Sequence, residues 1–336
     1  MDGRISTYGF ALDMISKNSR LQKQLGQIQE QIATGVKSST LQGYGVDNLR
    51  LQNARINVSS IDSYIFNIES ASSRIKQMTV GVSEIEKQAE IVLGALAILP
   101  QEGDIDITNM KTLAGNAKDI IEDILNQKIG EDYLFSGSDV KNTPLENSES
   151  LTMRVQLQMT QWLDGTNDAD TFAANIDSYT DSQAGFSLGV QSSSEVFVRA
   201  DDNFEVDYTV RANENGFKDI LVGLTALSEM QFPDDTVDLA TREEFFQIID
   251  GLFRKVQGGV EEIRGAEIKL AAADGSIGRK LEQHKTDKGF LQTTIENIQS
   301  IDPSEAVVRF QALQTNLEAA FQATSIISSL SLARLL

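Results

Sequence analysis

Hydrophobic positions recur every three or four residues over most of this chain, and the rhythm is clearest near its two ends. Leu21, Leu25, Ile28 and Ile32 follow 4-3-4 spacing, while Phe310, Leu313, Leu317, Ala320, Thr324 and Ile327 follow 3-4-3-4-3. These are the periods of an amphipathic helix and of a coiled-coil seam. From Ser304 to Leu336 the only charged residues are Glu305, Arg309, Glu318 and Arg334. A helix of roughly 30 residues, about 45 Å long at 1.5 Å rise per residue, then has almost no face suited to bulk water. It is expected to be buried on more than one side, whereas chain ends of soluble monomers tend to fray and stay exposed. The pattern predicts that the terminal helices form the assembly surface of a polymer.

Between these ends the punctuation is sparse: prolines stand at Pro100, Pro144, Pro233 and Pro303, each tending to end or exclude a helix. A first helix is predicted from about Leu12 to Ala33, stopped by Gly35, followed by a loop around Gly43 and Gly45. A longer helix carries Ile61, Ile65, Ile68, Ser72, Ile75, Thr79 and Val82 in heptad register, then Ile85, Ala89, Val92, Leu96 and Leu99 after a shift of one residue. Met110, Leu113, Ala117, Ile120 and Ile124 mark another helix, expected to stop at Gly130. From about Leu145 to Arg211 the character changes. Phe186–Gln191, Glu195–Ala200 and Phe204–Val210 gather β-branched and aromatic residues between Ser, Asp and Asn clusters and predict strands. Helical pattern returns at Ile220, Leu224 and Leu227 and runs from Thr241 to Ser300 through Phe245, Ile249, Leu252, Val256, Ile263 and Leu270, with Gly258, Gly259 and Gly275 weakening its continuity.

The order is nearly palindromic, so a chain going out along helices and returning along helices brings its termini together. The predicted fold class is mainly α, with long antiparallel helices in a coiled-coil bundle and a small β-rich inserted domain. The corresponding segments are an N-terminal assembly helix at 1–45, an outgoing helical half at 46–143, the β-rich outer domain at 144–232, a returning helical half at 233–302 and a C-terminal assembly helix at 303–336.

With 336 residues there is ample chain to bury a core. The net charge of −20 lies mostly in the middle: residues 101–210 hold 21 acids and 6 bases, a net of −15, whereas residues 1–40 come out near +2. An acidic middle speaks against nucleic-acid binding, which needs clustered Lys and Arg, and is read as solubilising self-repulsion. The absence of cysteine excludes a disulfide framework and a thiolate metal site. The first 30 residues lack a basic stretch followed by an apolar one, so no cleaved export signal is expected. No stretch reaches the roughly 18–20 apolar residues of a membrane span, and no membrane insertion is expected.

Catalytic chemistry has little to stand on. The single histidine, His284, sits beside Lys285 and reads as a solvated helix residue; a triad or multi-histidine metal site would rest on it alone. The run Asp164-Gly-Thr-Asn-Asp-Ala-Asp170 lacks the alternation of a calcium loop and reads as a plain loop. Asp201 and Asp202 are an adjacent carboxylate pair of the kind that chance supplies in an acidic chain. Gly258-Gly259 and Gly275-Ser-Ile-Gly278 follow no strand and match no phosphate-binding pattern. Trp162, the sole tryptophan, reads as a core anchor. No enzyme activity, cofactor or metal is expected. A binding role for the insert would require an aromatic cluster exposed on its outer strands.

Three motifs carry a family resemblance. Gln31-Ile-Ala-Thr-Gly-Val-Lys37 closes the first helix, Gly130-Glu-Asp-Tyr-Leu-Phe-Ser-Gly137 precedes the variable middle, and Leu317-Glu-Ala-Ala-Phe-Gln-Ala-Thr324 leads to Ser329-Leu-Ser-Leu-Ala-Arg-Leu-Leu336. In this order, and with this helix plan, the chain resembles the bacterial flagellins and related hook-filament junction proteins over roughly residues 5–140 and 240–336. It departs after Lys37: most members carry a serine, two aspartates and a small apolar run, where this chain has Ser38-Ser-Thr-Leu-Gln-Gly-Tyr-Gly-Val46. The "YLFSG" and "SLSLARLL" segments look more like the junction members than the major filament flagellin, which is the alternative; a secreted adhesin or enzyme carried by the insert is a remote one. The resemblance implies an extracellular subunit exported unfolded through the flagellar type III pathway. Its implied partners are copies of itself, a neighbouring hook-associated protein, filament flagellin and an export chaperone at the C-terminal helix. The implied assembly interface is Leu21, Leu25, Ile28, Ile32, Phe310, Leu313, Leu317, Ala320 and Ile327.

Overall fold

The computed structural model describes residues 7–97, 107–234, 238 and 240–333. The chain is mainly α with a small β-containing region. In order come α1 (Thr7–Thr34), a 3-10 turn at Leu41–Asp47, α2 (Asn48–Leu96), α3 (Ile107–Leu125), the hairpin β1 (Lys128–Ile129) and β2 (Asp132–Tyr133), then α4 (Ser148–Leu163), α5 (Ala169–Asp177) and α6 (Leu188–Ser192). A second hairpin, β3 (Phe197–Asp201) and β4 (Phe204–Asp207), leads to α7 (Asn215–Glu229), α8 (Arg242–Gln299) and α9 (Pro303–Ala333). Leu99 of the expected heptad run, and Pro100 expected to end it, lie outside the described residues. The chain divides into two compact units: unit 1 comprises Met1–Asp62 with Lys285–Leu336, and unit 2 comprises Ser63–His284.

In unit 1, α1 stops where Gly35 adopts φ +74° and its N–H returns to the Gln31 carbonyl at 2.8 Å, the left-handed step that glycine makes without steric penalty. The start of α9 is fixed by Asp302, whose carboxylate accepts the N–H groups of Ser304 at 2.8 Å and Glu305 at 3.3 Å. Pro303 occupies the first helical position, where its missing N–H costs nothing. α2 starts at Asn48, thirteen residues before Ile61; Leu51 and Ala54 are buried. Leu51 joins Tyr44 and Ile298 in a small cluster with Ile295 packed on it, and Lys288 pairs with Asp62 at 2.6 Å.

Unit 2 holds one continuous core. Ile68, Ile75, Val82, Ile85, Ala89, Val92 and Leu96 of α2 meet Phe245, Ile249, Leu252, Val256, Ile263 and Leu270 of α8 in it. On α3 the buried stripe is Met110, Ala114, Ala117, Ile121 and Leu125, rotated from the predicted set: Leu113 and Ile124 are only partly buried and Ile120 is exposed. That helix stops at Leu125, and Gly130 instead lies between the strands of the first hairpin. Leu134 and Phe135 of the following run are fully buried. Arg74 donates to the carbonyls of Tyr133 at 2.6 Å and Leu134 at 3.0 Å, which ties this segment to α2.

The stretch from 145 to 211 is more helical than its composition suggests. Leu151, Val155, Met159 and Trp162 line the buried side of α4, a 4-4-3 spacing that the surrounding Ser, Thr and Gln obscure. Phe186–Gln191, expected as a strand, instead enters α6, capped by the Ser187 hydroxyl on the Val190 N–H at 3.3 Å. The two later predicted strands form the antiparallel hairpin β3–β4, with Val198 opposite Val206 and Arg199 opposite Glu205.

Nor do the glycines interrupt α8, which runs unbroken through Gly258, Gly259 and Gly275. Gly259 is where α7 touches it: a Cβ there would lie 2.7 Å from the Gly216 carbonyl oxygen and 2.7 Å from the Ile220 side chain. Close helix contact replaces what glycine loses in propensity.

The acidic middle is also not simply solvated. Asp181 pairs with Lys218 at 3.1 Å, Asp177 with Lys255 at 2.9 Å, Asp207 with Lys269 at 2.9 Å and Asp201 with Lys280 at 2.5 Å. The excess acid of one segment therefore meets bases supplied by α7 and α8. Lys255 also meets Asp219 at 2.8 Å; burial pulls its ammonium down, but the two carboxylates outweigh this and hold it above its ordinary value.

Glu214 behaves in the opposite sense. Its carboxylate accepts the Arg211 N–H at 3.0 Å, yet burial pushes its pKa above the usual carboxylate value, and Lys269 and Arg211 do not offset this. A raised folded-state pKa means that the native state holds the proton more tightly, so its contribution is greatest at low pH and is lost as pH rises through that pKa. Glu214→Gln keeps the acceptor and removes the buried charge. The variant is expected to melt higher than the wild type at pH 7, with the gain closing as pH falls below the carboxylate range; paired thermal melts at pH 3.5 and pH 7 check this, the interval chosen to bracket a carboxylate of about 4.3 when unfolded.

Candidate functional site

The sequence-predicted interface residues lie on α1 and α9, which pack against each other in unit 1. The pair is antiparallel: Asn18 meets Thr324 at one level, and Val36 bridges Ser300 at another. At this second level the Lys37 N–H donates to the Gln299 carbonyl at 2.7 Å and the Ile301 N–H to the Gly35 carbonyl at 3.1 Å. Gln31 closes the corner by donating from Nε2 to the Lys37 carbonyl at 2.6 Å. The Gln31–Lys37 motif thus becomes a buckle between the end of α1 and the α8–α9 connection.

Leu21, Leu25 and Ile28 are half-buried on α1, and Phe310, Leu313, Leu317 and Ala320 are half-buried on α9. Ile32, at the last turn of α1, is 37% exposed. Ile327 lies on α9, but its side chain is outside those described, as are the side chains of the Ser329–Leu336 ending. One residue of the seam has no apolar signature. Asn18 precedes Leu21 by three positions, is 8% exposed, and its Nδ2 lies 3.4 Å from the Thr324 hydroxyl, while its Oδ1 is buried without a partner. Extending the 3-4 rhythm upstream from Leu21 would have reached it, had polar residues been allowed in the seam.

The paired helices do not hide their apolar surface. Leu12 is 49% exposed, Ile15 60%, Val308 65%, Phe321 48% and Ile326 59%. On α9 the residues Val307, Gln311, Gln314, Glu318, Phe321 and Ser325 share a face, and all are exposed. Two helices that have already closed on each other still present large side chains to water.

The residues considered for chemistry have structural employment in unit 2. His284 is buried, not solvated: its ring stacks on Tyr64 with centroids 5.5 Å apart, and Nε2 lies 2.7 Å from the Ala200 carbonyl. Tyr64 donates to Asp202 at 2.6 Å, so this corner and the Asp201–Lys280 pair hold the tip of the β3–β4 hairpin to α2 and α8. Asp164 accepts the Thr166 N–H, and Asp168 caps α5 through the Thr171 N–H at 2.8 Å; these hydrogen bonds hold both carboxyls below their ordinary values. Trp162 is fully buried beside Phe245, with no hydrogen-bond partner at Nε1. Phe197 and Phe204 are exposed on the hairpin, but they stand opposite Asp207 and Asp201 respectively and form no cluster. Among the described residues no group of His, Cys, Asp and Glu is arranged to hold a metal ion, and no helix is long and apolar enough to cross a membrane.

No protein-family model and no curated protein matches the chain. Among solved structures it is similar to a Vibrio parahaemolyticus protein assigned as a flagellar hook-associated protein, at 16% identity and a TM-score of 0.46, covering 75% of this chain and 97% of that one. It is also similar to FlgL of Bacillus cereus, at 13% identity and a TM-score of 0.41, covering 75% of this chain and 98% of that one.

Proposed function

We propose that this chain is a structural subunit of the bacterial flagellum that joins hook to filament, through packing of α1 and α9 against the same helices of neighbouring subunits. The observation that carries this is the apolar surface left on the α1/α9 pair after the two helices have closed on each other. The motifs that resemble the flagellin family fall at structurally employed places: Gln31–Lys37 forms the buckle to the α8–α9 connection, and Tyr133–Leu134 is held by Arg74. In this role Leu21, Leu25, Ile28, Phe310, Leu313 and Leu317 pass from half-buried positions into a shared coiled-coil core, and residues 144–232 face outward. The partners are further copies, a neighbouring hook-associated protein and filament flagellin. Before export, without a cleaved signal, a chaperone covers α9.

Seeded elongation tests this. Purified full chain is added to short flagellar filament fragments, with and without the neighbouring hook-associated protein, and growth is followed by light scattering and electron microscopy. Attachment that stops after a short layer is the expected result. Unlimited growth reassigns the chain as the filament subunit, and no attachment to either component overturns the flagellar role.

A further inference from the structure

Unit 1 carries a second apolar feature, distinct from the α1/α9 pair. The 3-10 turn, the first turns of α2 and the last third of α8 form a concavity of about 470 Å³ whose walls include Val46, Leu49, Ala54, Phe290 and Leu291. Val46 is 98% exposed, Leu49 68% and Phe290 73%. Large side chains left this open around a hollow mark a surface that is covered in the working state. The charge in the lining is Arg50, on the first turn of α2; among the described residues no acid pairs with it.

The α1/α9 pair offers one complement to this groove. Of the acids described on these helices, Asp13 is paired with Lys17 at 2.8 Å and Glu305 with Arg309 at 2.6 Å. Glu30 shares its face with Gly26, Gln27, Ala33 and Thr34, with no large apolar side chain beside it. Glu318 is different: no cation pairs with it among the described residues, and Phe321, one turn further on the same outer face, is 48% exposed. An aromatic knob beside a free carboxylate matches an apolar groove beside a free guanidinium in shape and in sign.

Resting on the assembly role proposed above, we infer that the groove between α2 and α8 receives the Phe321–Glu318 face of α9 from a second copy of this chain, with Arg50 of one copy pairing with Glu318 of the next. Within a single copy both sides remain open, since Phe290 and Phe321 are each exposed, so neither fills the other's role internally. Knob and groove belong to the same chain, which makes the contact head-to-tail: every bound pair leaves one knob and one groove free. Such a contact closes into a ring when the rotation between copies divides a full turn and otherwise runs on as a helix. A ring is the single layer that a junction requires.

The test is a charge exchange. Arg50→Glu and Glu318→Arg are prepared singly and together in the full chain. Both sites are exposed, and a carboxylate on the first turn of α2 suits the helix dipole, so the fold is retained and is checked by circular dichroism. Self-association by sedimentation velocity and attachment to seeds are measured for all four proteins. Each single reversal is expected to weaken association by about tenfold or more, because like charges then face each other, and the double reversal is expected to restore it. Neutral single variants, or a double variant no better than the singles, overturn the Arg50–Glu318 contact while leaving the assembly role intact. A wild-type chain that neither self-associates nor attaches to seeds removes the assembly role, and this contact with it.

Discussion

Gly259→Ala is expected to destabilise unit 2 by about 2 kcal/mol, the range for forcing an extra carbon into a packed core, while the same substitution one residue earlier, Gly258→Ala, is expected to stabilise it. At Gly259 the new carbon would lie 2.7 Å from the Gly216 carbonyl oxygen and 3.1 Å from the Ile220 backbone nitrogen. Those are main-chain atoms of α7, so no rotamer change relieves the overlap and the helices must separate. The reciprocal position is equally tight, since a Cβ on Gly216 would lie 2.9 Å from the Gly259 carbonyl oxygen. At Gly258 nothing lies within 4 Å of the added carbon, leaving only the gain in helix propensity, about 1 kcal/mol. Urea unfolding of the two variants beside the wild type gives the comparison. Equal midpoints for Gly258→Ala and Gly259→Ala would contradict the α7/α8 contact.

Leu317→Asp is expected to abolish attachment to seeds while leaving unit 2 folded. Leu317 is half-buried in the α1/α9 seam, where the substitution removes apolar contact worth about 1.5–3 kcal/mol if fully buried and places a carboxylate against α1. Ionised groups in such surroundings open the contact or bind a proton, and either outcome disturbs the seam. Unit 2 contains no residue of α1 or α9, so its thermal transition should be unchanged. The decisive comparison is attachment to seeds at equal concentrations of folded wild type and variant; wild-type attachment by Leu317→Asp rules out the seam as the assembly element.

The helices of this fold were legible wherever the apolar spacing was unbroken. Leu21 to Ile28 and Phe310 to Ala320 show their facing sides in the sequence, because each row is read along one helix and needs no knowledge of its partner. What could not be read depends on remote contacts. Asn18 is polar, and only its meeting with Thr324 explains its burial. His284 has Lys285 beside it and looks solvated, but Tyr64 and Ala200 cover it from distant parts of the chain. Gly258 and Gly259 are indistinguishable locally, and a carbonyl on α7 separates their roles. α4 was obscured for another reason: Ser, Thr and Asn clusters around Leu151–Trp162 resemble strand punctuation, although Asn147 caps a helix there by accepting the Ser150 N–H at 3.1 Å.

The Asn18–Thr324 contact joins residues 306 positions apart, so almost the whole chain must exist before α1 finds α9. Closing a loop of that length adds only a slowly growing entropic penalty, but it imposes an order of events: every contact of unit 2 lies at shorter range and forms without it. A polypeptide that stops between His284 and α9 holds all of unit 2 and still lacks the seam. Under the proposed assembly role, a product that ends before α9 lacks the element it needs to join, a quality check written into the wiring of the fold that needs no separate inspector.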